Sequence, residues 1–187
     1  MPEYGSRLYW DQRYSKSEEA FDWMCDYEQL EPTILPLLSK LKSNKHCKIL
    51  IIGCGNANFS VDFVNNSGFN TKNVIHIDYC DVVIQQQKKK FPSLDFRVMD
   101  ALNMAQLDDD TIDCIIDKSL IDTTLCYHDG HETTERLFTE MHRVLKNGGR
   151  IVTISLHTEE EVKLFQSSDK HNFEFLASSC KIVNKRR

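Results

Sequence analysis

Two glycines one position apart, Gly53 and Gly55, close the apolar run Ile49-Leu50-Ile51-Ile52. A residue without a Cβ lets the chain take left-handed angles and lets a ligand approach the main chain closely. Asp78 follows Gly55 by 23 positions (78 − 55). About 20 residues is the interval at which a carboxylate reaches the ribose hydroxyls of a nucleoside bound to an α/β sheet. Taken singly, the glycines also suit a plain strand-to-helix turn and Asp78 an ordinary strand end. Together they point to a nucleoside ligand. Asp100, after a third apolar run, is placed to accept from an adenine amino group. Tyr127-His128-Asp129-Gly130-His131 reads as a solvated turn before a helix rather than a metal site, and Cys54 between the glycines has no base partner that would make it a nucleophile.

These residues need strand ends to hold them. Lys48–Ile52, Asn73–Ile77, Leu94–Met99, Thr111–Asp117 and Arg150–Leu156 are short, apolar and rich in Ile and Val, as strands buried on both faces are. Between them lie the amphipathic segments Ala57–Asn66, Asp81–Phe91 stopped by Pro92, and His131–Lys146 closed by Asn147-Gly148-Gly149. The alternation predicts a Rossmann-like, doubly wound α/β fold with a mostly parallel sheet and helices on both faces. The glycines and the acidic residues then fall at the carboxyl ends of strands, where such sheets bind ligands. Residues 1–47, including Glu28–Leu41 with Pro32 near its start, read as a helical extension over a core of residues 48–187. Thr158–Gln166 is helical in pattern and Phe173–Val183 strand-like.

A chain of 187 residues fits one domain with one core. The formal charge of −5 gives no broad basic field, so no nucleic-acid partner is expected. Lys88-Lys89-Lys90 and Lys185-Arg186-Arg187 read as solvated surface. The seven cysteines contain no Cys-x-x-Cys pair, so neither a disulfide framework nor a zinc site is expected. The first 25 residues lack the apolar segment of a secretory signal, and no run approaches about 18 apolar residues. A reduced, cytoplasmic, monomeric protein without a membrane partner is the expectation.

The nucleoside can be narrowed. A dinucleotide fingerprint places a third glycine three residues after the second, where this chain has Asn58, and no Gly-Lys-Ser/Thr follows for a phosphate loop. S-adenosylmethionine remains as the common occupant. The successive stretches ILIIGCGNANFS, VIHIDYCDVVI, FRVMDALNM, TIDCIIDKSLIDTTL and MHRVLKNGGRIVTIS resemble the motifs of class I S-adenosylmethionine-dependent methyltransferases. YWDQRY (Tyr9–Tyr14) and FDW (Phe21–Trp23) narrow the resemblance to the subgroup containing the lysine methyltransferases of translation elongation factor 1-alpha.

The resemblance implies a sheet of roughly six or seven strands and a protein substrate with an acceptor lysine, with a translation factor as the candidate. By the same resemblance Trp10, Tyr14 and Trp23 form an aromatic cover over the cofactor, with Gly53 and Gly55 as its loop. Asp78 and Tyr79 meet the ribose and adenine, Asp100 and Ala101 the adenine edge, and Lys118 stands near the methionine end. Aromatic faces suit a sulfonium cation and an adenine ring, although the same three side chains would also pin the extension to the core. Where the subgroup has Asp/Glu-Lys-Gly-Thr-Leu-Asp, this chain reads Asp117-Lys118-Ser119-Leu120-Ile121-Asp122. Asp117 and Asp122, at the end of the fourth strand, are the candidates for orienting an amine in a displacement governed by positioning. A small-molecule methyltransferase of the same fold and a catalytically silent cofactor-binding module are the other readings.

Overall fold

The computed structural model describes residues 3–158 and 160–162. Its sheet is built from β1 (Ile49–Ile52), β2 (Val74–Asp78), β3 (Asp95–Val98), β4 (Ile112–Lys118) and β5 (Leu145–Ile154), in the order β3-β2-β1-β4-β5. All four pairings are parallel. The chain therefore starts in the middle of the sheet, runs outward to β3, and crosses back to build the other half from β4. This reversal beside β1 opens a crevice at the strands' carboxyl ends. Five strands stand among the described residues, against the expected six or seven. Phe173–Val183 and the C-terminal part of Thr158–Gln166 lie outside them.

Every residue of β1 and β2 is buried, which explains their unbroken Ile and Val runs. One face of the sheet packs Ile49, Ile51, Val74 and Cys114 against the N-terminal helices, α3 (Phe59–Asn66) and α4 (Asp81–Lys90). The other packs Leu50, Ile52, Ile75 and Ile115 against Leu137, Phe138 and Met141 of α6 (Gly130–Val144).

The N-terminal extension contributes α1 (Arg7–Lys16) and α2 (Tyr27–Leu38). Asp26 starts α2 with a reciprocal cap: its Oδ1 accepts the Gln29 N–H at 2.9 Å and the Gln29 Oε1 accepts the Asp26 N–H at 3.2 Å. Pro32 and Pro36 lie inside this helix. β5 begins five residues before its expected start because Leu145 pairs with Ile112 before the register jumps, with Arg150 opposite Cys114. Gly148, at φ +75°, lets the extra residues between them fold out of the ladder.

Candidate active site

β1 ends into Gly53 (φ +59°) and Gly55 (φ +52°), so both glycines occupy left-handed backbone. The loop is also crowded. A Cβ on Gly55 would stand 2.7 Å from the Tyr14 hydroxyl oxygen, and one on Gly53 would stand 3.2 Å from Leu120 Cβ. Asp78 fastens the loop to β2: its Oδ2 accepts the Gly55 N–H at 3.0 Å and its Oδ1 accepts the Cys80 N–H at 2.9 Å. Burial pushes the Asp78 carboxyl up to about 6, against the pull of those two N–H groups.

Trp10 and Tyr14 are one helical turn apart on the buried face of α1 and stack with ring centroids 5.8 Å apart. Trp23 meets Trp10 edge-on at 6.0 Å and Tyr4 at 5.3 Å. The Trp10 Nε1–H donates to the Tyr4 carbonyl at 2.7 Å. The cover is latched from below. Lys118, at the end of β4, donates to the Trp23 carbonyl at 3.0 Å and pairs with Asp22 at 3.2 Å. With only 6% of the lysine side chain exposed, this is a sheltered ion pair.

Asp22 also accepts the Asn58 N–H at 3.0 Å and the Phe59 N–H at 3.3 Å. The amino end of α3 is thus occupied by a side chain from the cover.

The end of β4 is built differently. Asp117 is fully buried, and its Oδ1 accepts the Leu120 N–H at 2.8 Å to start α5 (Leu120–Thr124). Its Oδ2 has no hydrogen-bond partner among the described residues, and burial pushes its carboxyl up to about 7. Ser119 stands at φ +73° with its Oγ likewise unpartnered. Asp122 reaches across to the segment after β5, where its Oδ1 accepts the Leu156 N–H at 2.9 Å and the Ser155 hydroxyl at 3.1 Å. His157 lies beside it, with Nε2 4.0 Å from Asp122 Oδ1 and Nδ1 3.6 Å from Glu161 Oε2.

These groups surround one cavity of about 520 Å³, within the range of roughly 300–1,000 Å³ usual for small-molecule sites. Trp10, Tyr14 and Trp23 roof it; Gly53, Gly55 and Asp78 form one wall. Tyr79, Asp100 and Ala101 line it farther along β2 and β3, and Lys118 and Asp122 line the β4 side. Asp117 does not line it and faces the interior. The cavity also brings in Tyr127, Cys126, Leu156 and His157, which the sequence reading did not place at the site. Tyr127 and its histidine neighbours had read as a surface turn, and no signal of spacing ties His157 to Asp122, 35 positions earlier (157 − 122). Cys54 is buried at the cavity wall, and burial raises its thiol pKa, so it holds its proton. Among the described residues no cluster of His, Cys, Asp and Glu is arranged to hold a metal ion, and no helix is long and apolar enough to cross a membrane.

Residues 43–185 match the family model described as a methyltransferase domain. The eEF1A lysine and N-terminal methyltransferase of Xenopus laevis is 31% identical over 161 residues, covering 82% of this chain and 22% of the relative. EEF1A lysine methyltransferase 4 of Mus musculus is 26% identical over 170 residues, covering 82% of this chain and 62% of the relative. The chain thus spans about a fifth of the length of the first of these. The crystal structure of the PH0226 protein from Pyrococcus horikoshii superposes with a TM-score of 0.54 at 25% identity, covering 74% of this chain and 57% of that one.

Proposed function

Because this chain belongs to the methyltransferase domain family, we propose that it binds S-adenosylmethionine beneath the aromatic cover and transfers the methyl group to the side-chain amine of a protein lysine. The observation that carries this reading is the single cavity joining the Gly53–Gly55 loop and Asp78 at one end to Asp122 and His157 at the other. A cofactor site and an acceptor site share one space.

The residues fit the cofactor. Asp78, already holding the loop by two N–H groups, has its carboxylate at the cavity wall for the ribose hydroxyls. Tyr79, Asp100 and Ala101, which line the cavity, would flank the adenine, and Trp10, Tyr14 and Trp23 would shield the bound cofactor from water. Lys118 serves the methionine end through the latch it forms with Asp22 and the Trp23 carbonyl. When bound, the cofactor supplies a methyl group activated by a positively charged sulfur, so the protein's task is to place the acceptor in line and keep the site dry.

The acceptor end carries negative charge. Asp122 and Glu161 attract a lysine ammonium to the mouth, and Leu156, 80% exposed, offers an apolar contact for its methylene stem. Asp117 acts from behind, by fixing the start of α5 and hence the position of Asp122. Support for a protein acceptor comes from the names of the frog and mouse relatives, both enzymes of a translation factor. A cytoplasmic monomer acting on such a factor, without a nucleic-acid partner, is the form we propose.

Two measurements test the reading. Calorimetric titration should show binding of S-adenosylmethionine and its demethylated product and none of nicotinamide dinucleotides. Transfer of labelled methyl groups in cell extract should place label in a protein band. Binding of NAD in place of S-adenosylmethionine would overturn the cofactor assignment. Label confined to small molecules would reject the protein acceptor.

A further inference from the structure

A lysine reaches the cavity as an ammonium, with an ordinary pKa near 10.4, and an ammonium has no lone pair to attack a methyl carbon. A group at the acceptor end that takes the proton would raise the fraction of amine able to react. The carboxylates there and along the wall each already accept backbone N–H groups. Asp78 holds the N–H groups of Gly55 and Cys80, and Asp117 lies outside the cavity wall on the Leu120 N–H. Asp100 accepts the Leu102 N–H at 2.8 Å, on the side where the adenine is placed. Asp122 spends its Oδ1 on Ser155 and Leu156, and its Oδ2 is closed off from solvent.

His157 differs from all of these. It lines the cavity, its side chain is 33% exposed, and its ring nitrogens stand between two carboxylates at 4.0 and 3.6 Å. The backbone around it is fastened to Asp122 in relay: the Ser155 hydroxyl donates to Asp122 Oδ1 at 3.1 Å, and the His157 N–H donates to Ser155 Oγ at 3.0 Å.

We propose that His157 is a catalytic residue that removes the proton from the acceptor ammonium, and that Asp122 is the positioning residue that holds it at the cavity. The inference rests on the lysine methyltransferase reading above. Glu161, nearer to the ring at 3.6 Å than Asp122 at 4.0 Å, favours the tautomer with hydrogen on Nδ1, which leaves the lone pair on Nε2, the nitrogen on the Asp122 side. A proton passes from the ammonium to Nε2, and the imidazolium so formed is stabilised by the two carboxylates that face it, Asp122 from α5 and Glu161 from the segment after β5. The freed lone pair forms the N–C bond to the methyl carbon as that carbon's bond to sulfur breaks, with the bonding pair left on sulfur as a neutral thioether. The methylated amine leaves as an ammonium, and His157 returns its proton to water through its exposed edge.

The test is methyl transfer by the full chain into the labelled protein fraction, measured from pH 6 to 10 for the wild type, His157→Ala and His157→Asn, with cofactor affinity titrated alongside. Removal of a positioned general base costs roughly 10²–10⁴-fold in rate. His157→Ala should fall by about 10²-fold near neutral pH with cofactor affinity unchanged. Its rate should climb with pH toward the lysine's own ionisation, and added imidazole should restore part of it. His157→Asn, which keeps a polar side chain but has no proton-accepting nitrogen, should behave like the alanine variant. A variant with the wild-type rate and pH profile would overturn the assignment, as would a loss that is the same at every pH and insensitive to imidazole. If the wild type binds S-adenosylmethionine but labels no protein, the lysine reading itself falls and this inference with it.

Discussion

At the amino ends of β1 and β4 the Asp113 carboxylate accepts the Lys48 N–H at 2.8 Å and the Lys146 ammonium at 2.9 and 2.8 Å. Nearby, the Arg143 guanidinium is spread over Glu140, Asp109 and the carbonyls of Leu107 and Met104. At the carboxyl ends of the same strands, Asp117, Ser119 and Asp122 each keep a buried oxygen without a hydrogen-bond partner among the described residues. Two glycines there take positive φ, and Ser119 takes it at a cost. The amino end satisfies its polar groups and serves stability. The carboxyl end leaves polar groups unpaired at the wall of a cavity and, at Asp117, behind it, as a site awaiting ligands does.

The largest effect on cofactor binding that would break this comparison is expected at Gly55. Alanine there must hold φ near +52° and place its Cβ 2.7 Å from the Tyr14 hydroxyl, so either the loop or the roof has to shift. Cofactor affinity should fall at least about 100-fold, roughly 3 kcal/mol. An affinity within a few-fold of wild type, measured by titration, would show that the loop does not shape the site.

Asp117→Asn should come next, with the largest effect on stability. The Asp117 carboxyl is raised to about 7 by burial, above the value near 3.9 of an unfolded chain. Its contribution to stability is therefore fully present below about pH 4 and is lost as pH rises to about 7. His76, lowered to about 4 by burial against Phe96, has the opposite sign, with a contribution present above about 6.5 and lost as pH falls to 4. His76 and Asp78 are common to both proteins and cancel in the difference. The asparagine variant should gain on the wild type between pH 4 and 7, by on the order of 4 kcal/mol for a pKa raised from about 3.9 to about 7, and be the more stable of the two above pH 7. Parallel denaturation curves across that range would show that Asp117 is ionised at little cost.

Asp113→Ala probes the other end. It removes acceptors from the Lys48 N–H and from Lys146, and charged hydrogen bonds of this kind contribute about 1.5–3 kcal/mol. Stability should drop by about 2 kcal/mol while cofactor affinity stays unchanged. A drop in affinity as well would mean that the two ends of the sheet are coupled.

The same contrast explains what was legible in the sequence. The five strands were readable to within a few residues, apart from the start of β5, because each is a short apolar run, and the glycines and Asp78 were readable because α/β sheets place ligands at strand ends. α5 was missed because five residues starting after a left-handed serine carry no periodicity. α1 was not separable from its surroundings because only Trp10 and Tyr14 of its ten residues are buried. At the site, residue types told where carboxylates would gather but not which way they face. Asp117 turns inward, Asp22 fills the amino end of α3 from 36 positions upstream of Asn58 (58 − 22), and His157 reaches Asp122 only through the fold. The last two depend on long-range contacts that no local pattern encodes.

The smallest expected effect tests the carboxyl end most directly, and it concerns the departure at Ser119. Its φ of +73° is a left-handed conformation that costs an L residue about 1–2 kcal/mol, and its Oγ has no partner among the described residues to offset that. Glycine removes the strain and the unpaired hydroxyl together, at the cost of a more flexible unfolded chain. Ser119→Gly should therefore stabilise the protein by about 0.5–1 kcal/mol, or roughly 2–4 °C in melting temperature at the upper end. Gly148 supplies the reciprocal experiment, since it lies at φ +75° before the regular part of β5 with nothing within 4 Å of where its Cβ would be. Gly148→Ser imposes the backbone strain alone and should destabilise by a similar amount. If Ser119→Gly instead lowers the melting temperature while Gly148→Ser behaves as expected, the hydroxyl of Ser119 is making a stabilising interaction and the polar groups at the carboxyl end are not held in reserve. If Ser119→Gly stabilises and methyl transfer falls, the strain has been kept for the sake of the site.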